Sequence, residues 1–275
     1  MKKLSKILLA LLLSVGIVGC GGNKETTSTD QSKLVVSATL DPHTKILEAA
    51  KPILKEKYDI ELTIKTLDDY YIFNKSLNSG DVDANYFQHV PFFDGEVKEK
   101  GYKITNAAGI HLEPFGFYSK TLKSKDDVKD GAKVIISNSV ADHGRILAIL
   151  EKAGLIEIND NVDILKSTVK DIKSNPKNLK FTEIKPELLG TAYKNGEGDL
   201  VAINGNYALQ AGLNPTKDAI ILESADKDNP YVNIVACQTG HENDKKIKAL
   251  VEVLKSDEIK KFIEETYKGS VIPAV

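Results

Sequence analysis

"KVIISNSVADHGRILAILEKAGL", residues 133–155, decides the fold. Residues 133–137 form a β-rich apolar run, and residues 145–155 repeat their apolar side chains at helical spacing. The polar, glycine-containing NSVADHG between them reads as a turn, so the stretch is a strand, a turn and a helix. The same alternation recurs on both sides. LVVSATL (34–40), ELTIKTL (61–67), YKITNAAGI (102–110), LKFTEI (179–184) and DLVAI (199–203) are short strand-like runs, separated by helical patterns such as TKILEAAKPILKEKY. DAIILES (218–224) and YVNIVAC (231–237) follow, and then the charged amphipathic DKKIKALVEVLKSDEIKKFIEETYK, which reads as two packed surface helices. The pattern predicts an α/β fold with largely parallel sheets.

Two apolar runs, around EPFGFYS (113–119) and NPYVNIV (229–235), bracket about half the chain. Read as crossovers, they divide residues 34–113 plus 234–275 from residues 114–233, giving two lobes with a cleft between them. Ligands of α/β sheets sit beyond the C-terminal ends of strands, where helix N-termini point.

The chain has a single arginine, Arg145; lysine fills every other cationic position outside histidine. Arginine offers a planar fork of donors that grips a carboxylate through two parallel hydrogen bonds, which lysine cannot do. On this reading Arg145 stands in the first turn of its helix, where a cation opposes the helix dipole and a bound anion removes the conflict. Asn138 and Asp142, beside it, are candidates to cap the helix or to line the site.

The N-terminus MKKLSKILLALLLSVGIVGC has early lysines, an apolar run and small residues before Cys20, the layout of a secretory signal over residues 1–19. It is too short and wrongly flanked for a membrane span. The ending IVGC resembles the lipobox of bacterial lipoproteins, which implies cleavage before Cys20 and a lipid on that cysteine, and residues 20–33 read as a flexible tether to the first strand. Loss of the three leader lysines takes the formal charge from −2 to −5, with no basic block, which argues against nucleic acid as a partner. Cys237, in an apolar run, reads as a small buried hydrophobe.

Several segments together carry a family resemblance: DANYFQHVPFF (83–93), NPKNLK (175–180), AINGNYALQAGLNP (202–215), DNPYVNIVA (228–236) and SDEIKKFIEETYKGSVIPAV (256–275). In collinear order over the mature chain, they resemble the NlpA/MetQ family of methionine-binding lipoproteins. The resemblance implies a two-lobed, periplasmic-binding-protein-like fold closing over L-methionine, D-methionine or a methionine-containing dipeptide. It implies an ABC permease as partner, contact with the membrane through the lipid alone, an extracytoplasmic location, and neither catalysis nor a cofactor. By resemblance, Tyr70, Phe87 and His89 enclose the thioether, Arg145 clamps the ligand carboxylate, and Asn204 and Asn233 contact the head group. The family usually has Asn where this chain has Asp142, and a Leu-Pro-Asn where it has Ile72, Phe73 and Asn74.

The rival reading is a metal-transport lipoprotein using His43, His89, His111 and His143 with Glu113 or Asp142, although their spacing matches no metal motif. A hydrolase needs a G-x-S-x-G, an H-E-x-x-H or an activated thiol, and the sequence has none. A surface adhesin is a third reading, and it leaves the lone arginine without a role.

Overall fold

The computed structural model describes residues 32–226 and 228–274; the predicted signal, Cys20 and most of the predicted tether lie outside them. The chain begins with β1 (Lys33–Ala38), α1 (Lys45–Tyr58), β2 (Glu61–Thr66), α2 (Tyr70–Ser79), β3 (Ala84–His89), α3 (Val90–Lys100) and β4 (Ile104–Leu112). It then builds β5 (Gly116–Tyr118), β6 (Lys133–Ser137), α4 (Val140–Lys152), β7 (Glu157–Ile158), β8 (Ile172–Ser174) and β9 (Lys180–Ile184). After these come α5 (Leu189–Asn195), β10 (Leu200–Ile203), α6 (Gly205–Gln210), α7 (Pro215–Asp218) and β11 (Ile221–Leu222). It ends with β12 (Val232–Gln238), α8 (Lys245–Leu254), α9 (Asp257–Tyr267) and β13 (Ile272–Pro273).

These strands form a six-stranded sheet in the order β13-β4-β12-β3-β1-β2 and a five-stranded sheet in the order β11-β5-β10-β6-β9. The fold is two-lobed α/β. The chain passes to the second sheet between β4 and β5 and returns between β11 and β12. Val232 and Asn233 already pair with β4 in the six-stranded sheet.

The sheets are mixed rather than largely parallel. β1 runs parallel to β2 and β3, and β6 runs parallel to β9 and β10. The returning strand β12 inserts antiparallel between β3 and β4, and β5 lies antiparallel to β10 and β11. Within these two sheets each antiparallel pairing involves an element next to a crossing, where the chain changes sheet without a full crossover helix to turn it round; β7 and β8 pair antiparallel in a separate two-stranded sheet.

Each lobe has its own apolar core. On α1 the buried residues Ile46, Leu47, Ala50, Ile53 and Leu54 follow the spacing of one helical face, and they pack on Leu34 and Val36 of β1 and on Leu250 and Val253 of α8. In β6, Val134 and Ile136 point into the core with Ile146, Leu147 and Leu150 of α4, whereas Ile135 points to the opposite face. That opposite face joins a third cluster, in which Tyr70, Phe73, Phe87 and Phe92 of the first sheet's elements meet Val201, Ile203 and Tyr207 of the second's. Cys237 is buried and unpaired among the described residues, and burial pushes its thiol up to about 12.

The central strand β3, ANYFQH, lacks an apolar signature because its buried polar side chains satisfy one another. Asn74 Nδ2 donates to Gln88 Oε1 at 2.8 Å, while Asn85 Nδ2 and Gln88 Nε2 donate to Asn74 Oδ1 at 2.9 and 2.8 Å. Sharing these bonds removes most of the cost of burying amides.

α4 begins at Val140, with Ser139 at its N-cap, so residues 140–144 are helix and Arg145 sits in the second turn rather than the first. Gly144 is the reason for the difference. It marks a close approach instead of a turn: a Cβ there would lie 1.7 Å from the carbonyl oxygen of Ile164. Gly144→Ala should therefore destabilise the protein by about 1–3 kcal/mol through overpacking. Gly95→Ala, in α3 with nothing within 4 Å of the added Cβ, should stabilise by about 0.5–1 kcal/mol. Urea denaturation of both variants measures the contrast, and equal effects would contradict the close packing at Gly144.

Candidate functional site

One pocket is lined from both sheets' elements: Tyr70 from α2, Phe87 to His89 from β3, Phe92 from α3, Arg145 from α4, Asn204 to Asn206 after β10, Asn233 from β12, and Glu113 from the first crossing.

The apolar wall is aromatic. Phe87 stacks on Phe73 at 4.0 Å between ring centroids, and Tyr70 lies 5.8 Å from both Phe87 and Phe92 and 5.0 Å from Tyr207. The Tyr70 hydroxyl donates to Asn206 Oδ1 at 2.6 Å, and Tyr207 donates to the Asp68 carbonyl at 2.6 Å, so each ties α6 back to the α2 end of the first lobe. Both phenols are buried and pushed upward by that burial, which keeps them protonated donors.

His89 has both ring nitrogens engaged. The Phe92 backbone N–H donates to Nδ1 at 3.2 Å, so the proton is on Nε2, which donates to Asp142 Oδ1 at 3.0 Å. Its carbon edges are therefore what the ring offers the pocket. The same Asp142 oxygen accepts from Asn204 Nδ2 at 3.2 Å. Burial alone would raise Asp142, but the hydrogen bond from His89, the charge of Arg145 and the hydrogen bond from Asn204 hold its carboxyl below the usual range.

Arg145 is buried and already paired. Nε donates to Glu223 Oε1 at 2.7 Å, Nη2 donates to Glu223 Oε2, and Nη2 also donates to the Glu113 carbonyl at 2.7 Å. The guanidinium lies 4.4 Å from the centroid of Tyr231 and 5.2 Å from that of Phe115. Its salt-bridge partner is Glu223 rather than Asp142. No hydrogen bond is formed by Nη1 among the described residues.

Of the residues singled out in the sequence, Tyr70, Phe87, His89, Arg145, Asn204 and Asn233 line this pocket. Asp142 stands behind it, bonded to two of its walls. Asn138 is exposed and lies outside it: its backbone N–H donates to the Ile184 carbonyl, continuing the β6–β9 pairing beyond the strand ends. Sequence reasoning passed over Glu223 and Asn206. Asn206 is two residues beyond Asn204 in AINGNYA, and Glu223 follows the last strand before the return crossing; position at a strand's C-terminal end was the available signal. Two buried polar atoms here, Asn204 Oδ1 and Asn206 Nδ2, have no partner among the described residues. Buried polar atoms require partners, so the pocket offers a ligand one acceptor and one donor at these positions.

The residues of the metal reading separate. His43, His111 and Glu113 lie together, with one donor atom each within 4.8 Å. His89 and Asp142 bond to each other, while His143 Nε2 donates to the Ser137 carbonyl at 2.8 Å, away from both groups. Within the cluster every donor atom already has a protein partner: Thr39 Oγ1 at His43 Nδ1, the Tyr86 hydroxyl at His111 Nδ1, and Glu113 or Asn233 at the Nε2 atoms. The hydrogen-bonded network accounts for the cluster without an ion.

A sequence profile described as NlpA lipoprotein matches residues 34–275. The methionine-binding lipoprotein MetQ of Bacillus subtilis (strain 168) is 52% identical over 274 residues, covering 99% of each chain. The D-methionine-binding lipoprotein MetQ of Escherichia coli (strain K12) is 35% identical over 96% of this chain and 94% of its own. The solved structure of a nutrient-binding protein from Burkholderia cenocepacia bound to methionine is similar at a TM-score of 0.83, with 36% identity over 88% of this chain and 100% of that one.

The buried histidines give the site a pH signature. Burial pushes His111 down to about 3, and it pushes His43 down to about 4 against the pull of Glu113. Both are neutral in the folded protein near pH 7, whereas in the unfolded chain they protonate near 6.5. Between those values the unfolded state binds more protons, so stability falls as pH falls. Glu113, raised by burial, acts with the opposite sign: its contribution is present at low pH and lost as pH rises through its folded value, which offsets part of the loss. The melting temperature should drop progressively between pH 6.5 and 4, and His111→Gln should flatten the drop. A melting temperature constant across that window would show that the two histidines titrate normally.

Proposed function

The chain belongs to the NlpA lipoprotein family, and from that premise we propose that it captures a methionine-type amino acid outside the cytoplasm and delivers it to an ABC permease. The observation that carries this reading is the pocket between the two sheets, in which an aromatic wall adjoins a buried arginine, in a chain related to methionine-bound proteins. The same kinship favours an amino-acid ligand over the metal-transport alternative.

Tyr70, Phe87 and His89 enclose the side chain, where aromatic rings suit a polarizable thioether. Arg145 neutralises the ligand carboxylate, and Asn204 and Asn233 orient the head group, with Asp142 holding His89 and Asn204 in place. Residues 34–113 plus 232–275 act as one lobe and 114–231 as the other, the return boundary lying two residues earlier than the sequence suggests because Val232 and Asn233 pair in the six-stranded sheet. Ligand contacts from both lobes favour the closed arrangement, and only that differential affinity shifts the opening equilibrium toward the form the permease engages. The protein binds and releases its ligand without chemistry on it. Cys20 carries the lipid that holds the chain at the membrane; among the described residues no helix is long and apolar enough to cross one.

Calorimetry should rank methionine well above leucine, because a pocket of hydrophobic volume alone discriminates by only about 1–3 kcal/mol per methylene. Equal affinities would defeat the reading. Arg145→Lys should weaken methionine binding about tenfold to a hundredfold by replacing a fork with a point donor. Because Glu223 shares that fork, the same variant should also lower the ligand-free melting temperature. Cys20→Ser should leave the protein unlipidated and released without detergent; retention in the membrane fraction would contradict the lipid anchor.

A further inference from the structure

The pocket holds a carboxylate whose surroundings define what its ligand must carry. Glu113 lies on the first crossing, directly after β4, and is 5% exposed. His111 Nε2 is 2.8 Å from its Oε1, and His43 Nε2 is 3.4 Å from the same oxygen and 3.0 Å from Asn233 Oδ1. On the far side of each ring, Nδ1 meets a hydroxyl, Tyr86 at His111 and Thr39 at His43. A neutral imidazole has one N–H, and a hydroxyl has one proton to donate. With each hydroxyl donating to Nδ1, each ring has its proton on Nε2, directed at Glu113 or Asn233. The network thus orients the Glu113 carboxylate as an acceptor without neutralising it.

The nearby cation does not neutralise it either. Arg145 is paired through Nε and Nη2 with Glu223, and it touches Glu113 only at the main-chain carbonyl. Asp142 adds a second buried acid. Burial raises Glu113 even though His43, Arg145 and His89 pull it the other way and a backbone hydrogen bond from Asn206 reaches it, so burial outweighs the stabilisation its protein neighbours supply.

We infer that Glu113 anchors the ligand's α-ammonium group, so that the site takes a single amino acid with both its amine and its carboxylate free. This rests on the amino-acid reading above and narrows it. Arg145 lies against the carbonyl of Glu113 itself and both residues line the same pocket, so the anchors for the two ligand charges are close together. The ammonium and carboxylate of one amino acid share a single Cα, which suits that spacing. A dipeptide separates its termini by a further residue, roughly 3.3–3.6 Å when extended. An acylated nitrogen brings no charge and leaves Glu113 buried and uncompensated.

Calorimetry on the full chain in detergent tests this with four probes: L-methionine, its 2-hydroxy analogue, N-acetyl-L-methionine and glycyl-methionine. The hydroxy analogue keeps the size and removes the ammonium, while the dipeptide keeps an ammonium and moves it. All three should bind about 100-fold or more weakly than methionine, the scale of a lost charge-assisted contact in a desolvated site. Glu113→Gln should shrink the ratio of methionine to hydroxy-analogue affinity to below about tenfold, whereas a purely structural defect would weaken both equally and overturn the assignment. Hydroxy-analogue or dipeptide binding within about threefold of methionine overturns it in the wild type, even if the variant does not fold. Methionine binding no tighter than leucine would instead bring down the functional reading on which this one rests.

Discussion

The guanidinium of Arg145 is where the two passages between the sheets meet. It belongs to α4 of the second sheet's lobe, yet it bonds to the carbonyl of Glu113 on the first crossing and to the carboxylate of Glu223 at the start of the second, and it lies against Tyr231 at that crossing's end. Moving an arginine into a buried site costs several kcal/mol unless charge and hydrogen bonds replace its water. Glu223 supplies both, and its Oε2 also accepts from the Phe115 backbone N–H at 3.1 Å. A single buried cation therefore fixes the geometry of both connections.

Much of the fold is legible in the sequence because most strands are apolar runs and most helices have one apolar face. β1, β2, β6, β9 and β10 are found where Val, Ile and Leu cluster, and α8 and α9 where charge alternates with buried Ile247, Leu250, Ile259 and Ile263. β3 is the exception, a fully buried strand whose Asn85 and Gln88 look like surface residues until Asn74 supplies their partners. No local pattern reveals that compensation, since Asn74 comes from another element. The glycine of VADHGR misleads for a related reason. A glycine required by a close backbone approach and one required by a turn look alike in sequence, and only the position of Ile164 separates them.

The site divides in the same way. Residues that a motif places next to one another, such as Phe87 with His89, or Asn204 with its neighbours, share the pocket because β3 and the β10–α6 junction both end there. Glu223 and Glu113 are distant in sequence, and each follows a strand that ends at a crossing. Their roles depend on which strands the topology brings side by side. Asn138 shows the reverse. It is adjacent to the decisive helix in sequence, yet outside the pocket, because β6 continues its pairing through the Asn138 backbone.

Asp142 turns this geometry into a preference for one kind of ligand group. An asparagine at this position would have both a donor and an acceptor, and a neighbouring amide such as Asn204 could present either of its atoms to it. A carboxylate only accepts. With Asp142 Oδ1 receiving His89 Nε2 and Asn204 Nδ2, the amide of Asn204 has one favourable orientation, nitrogen toward the acid, leaving Oδ1 buried in the pocket wall as an acceptor. Asn233 is constrained in the opposite sense, since His43 donates to its Oδ1 and its nitrogen is the group left to donate. The two asparagines thus differ in what they can recognise, one suited to an N–H donor and the other to an oxygen acceptor. The acid three residues before the arginine thus sets the polarity of the pocket wall, while Glu223 makes the arginine's carboxylate hydrogen bonds.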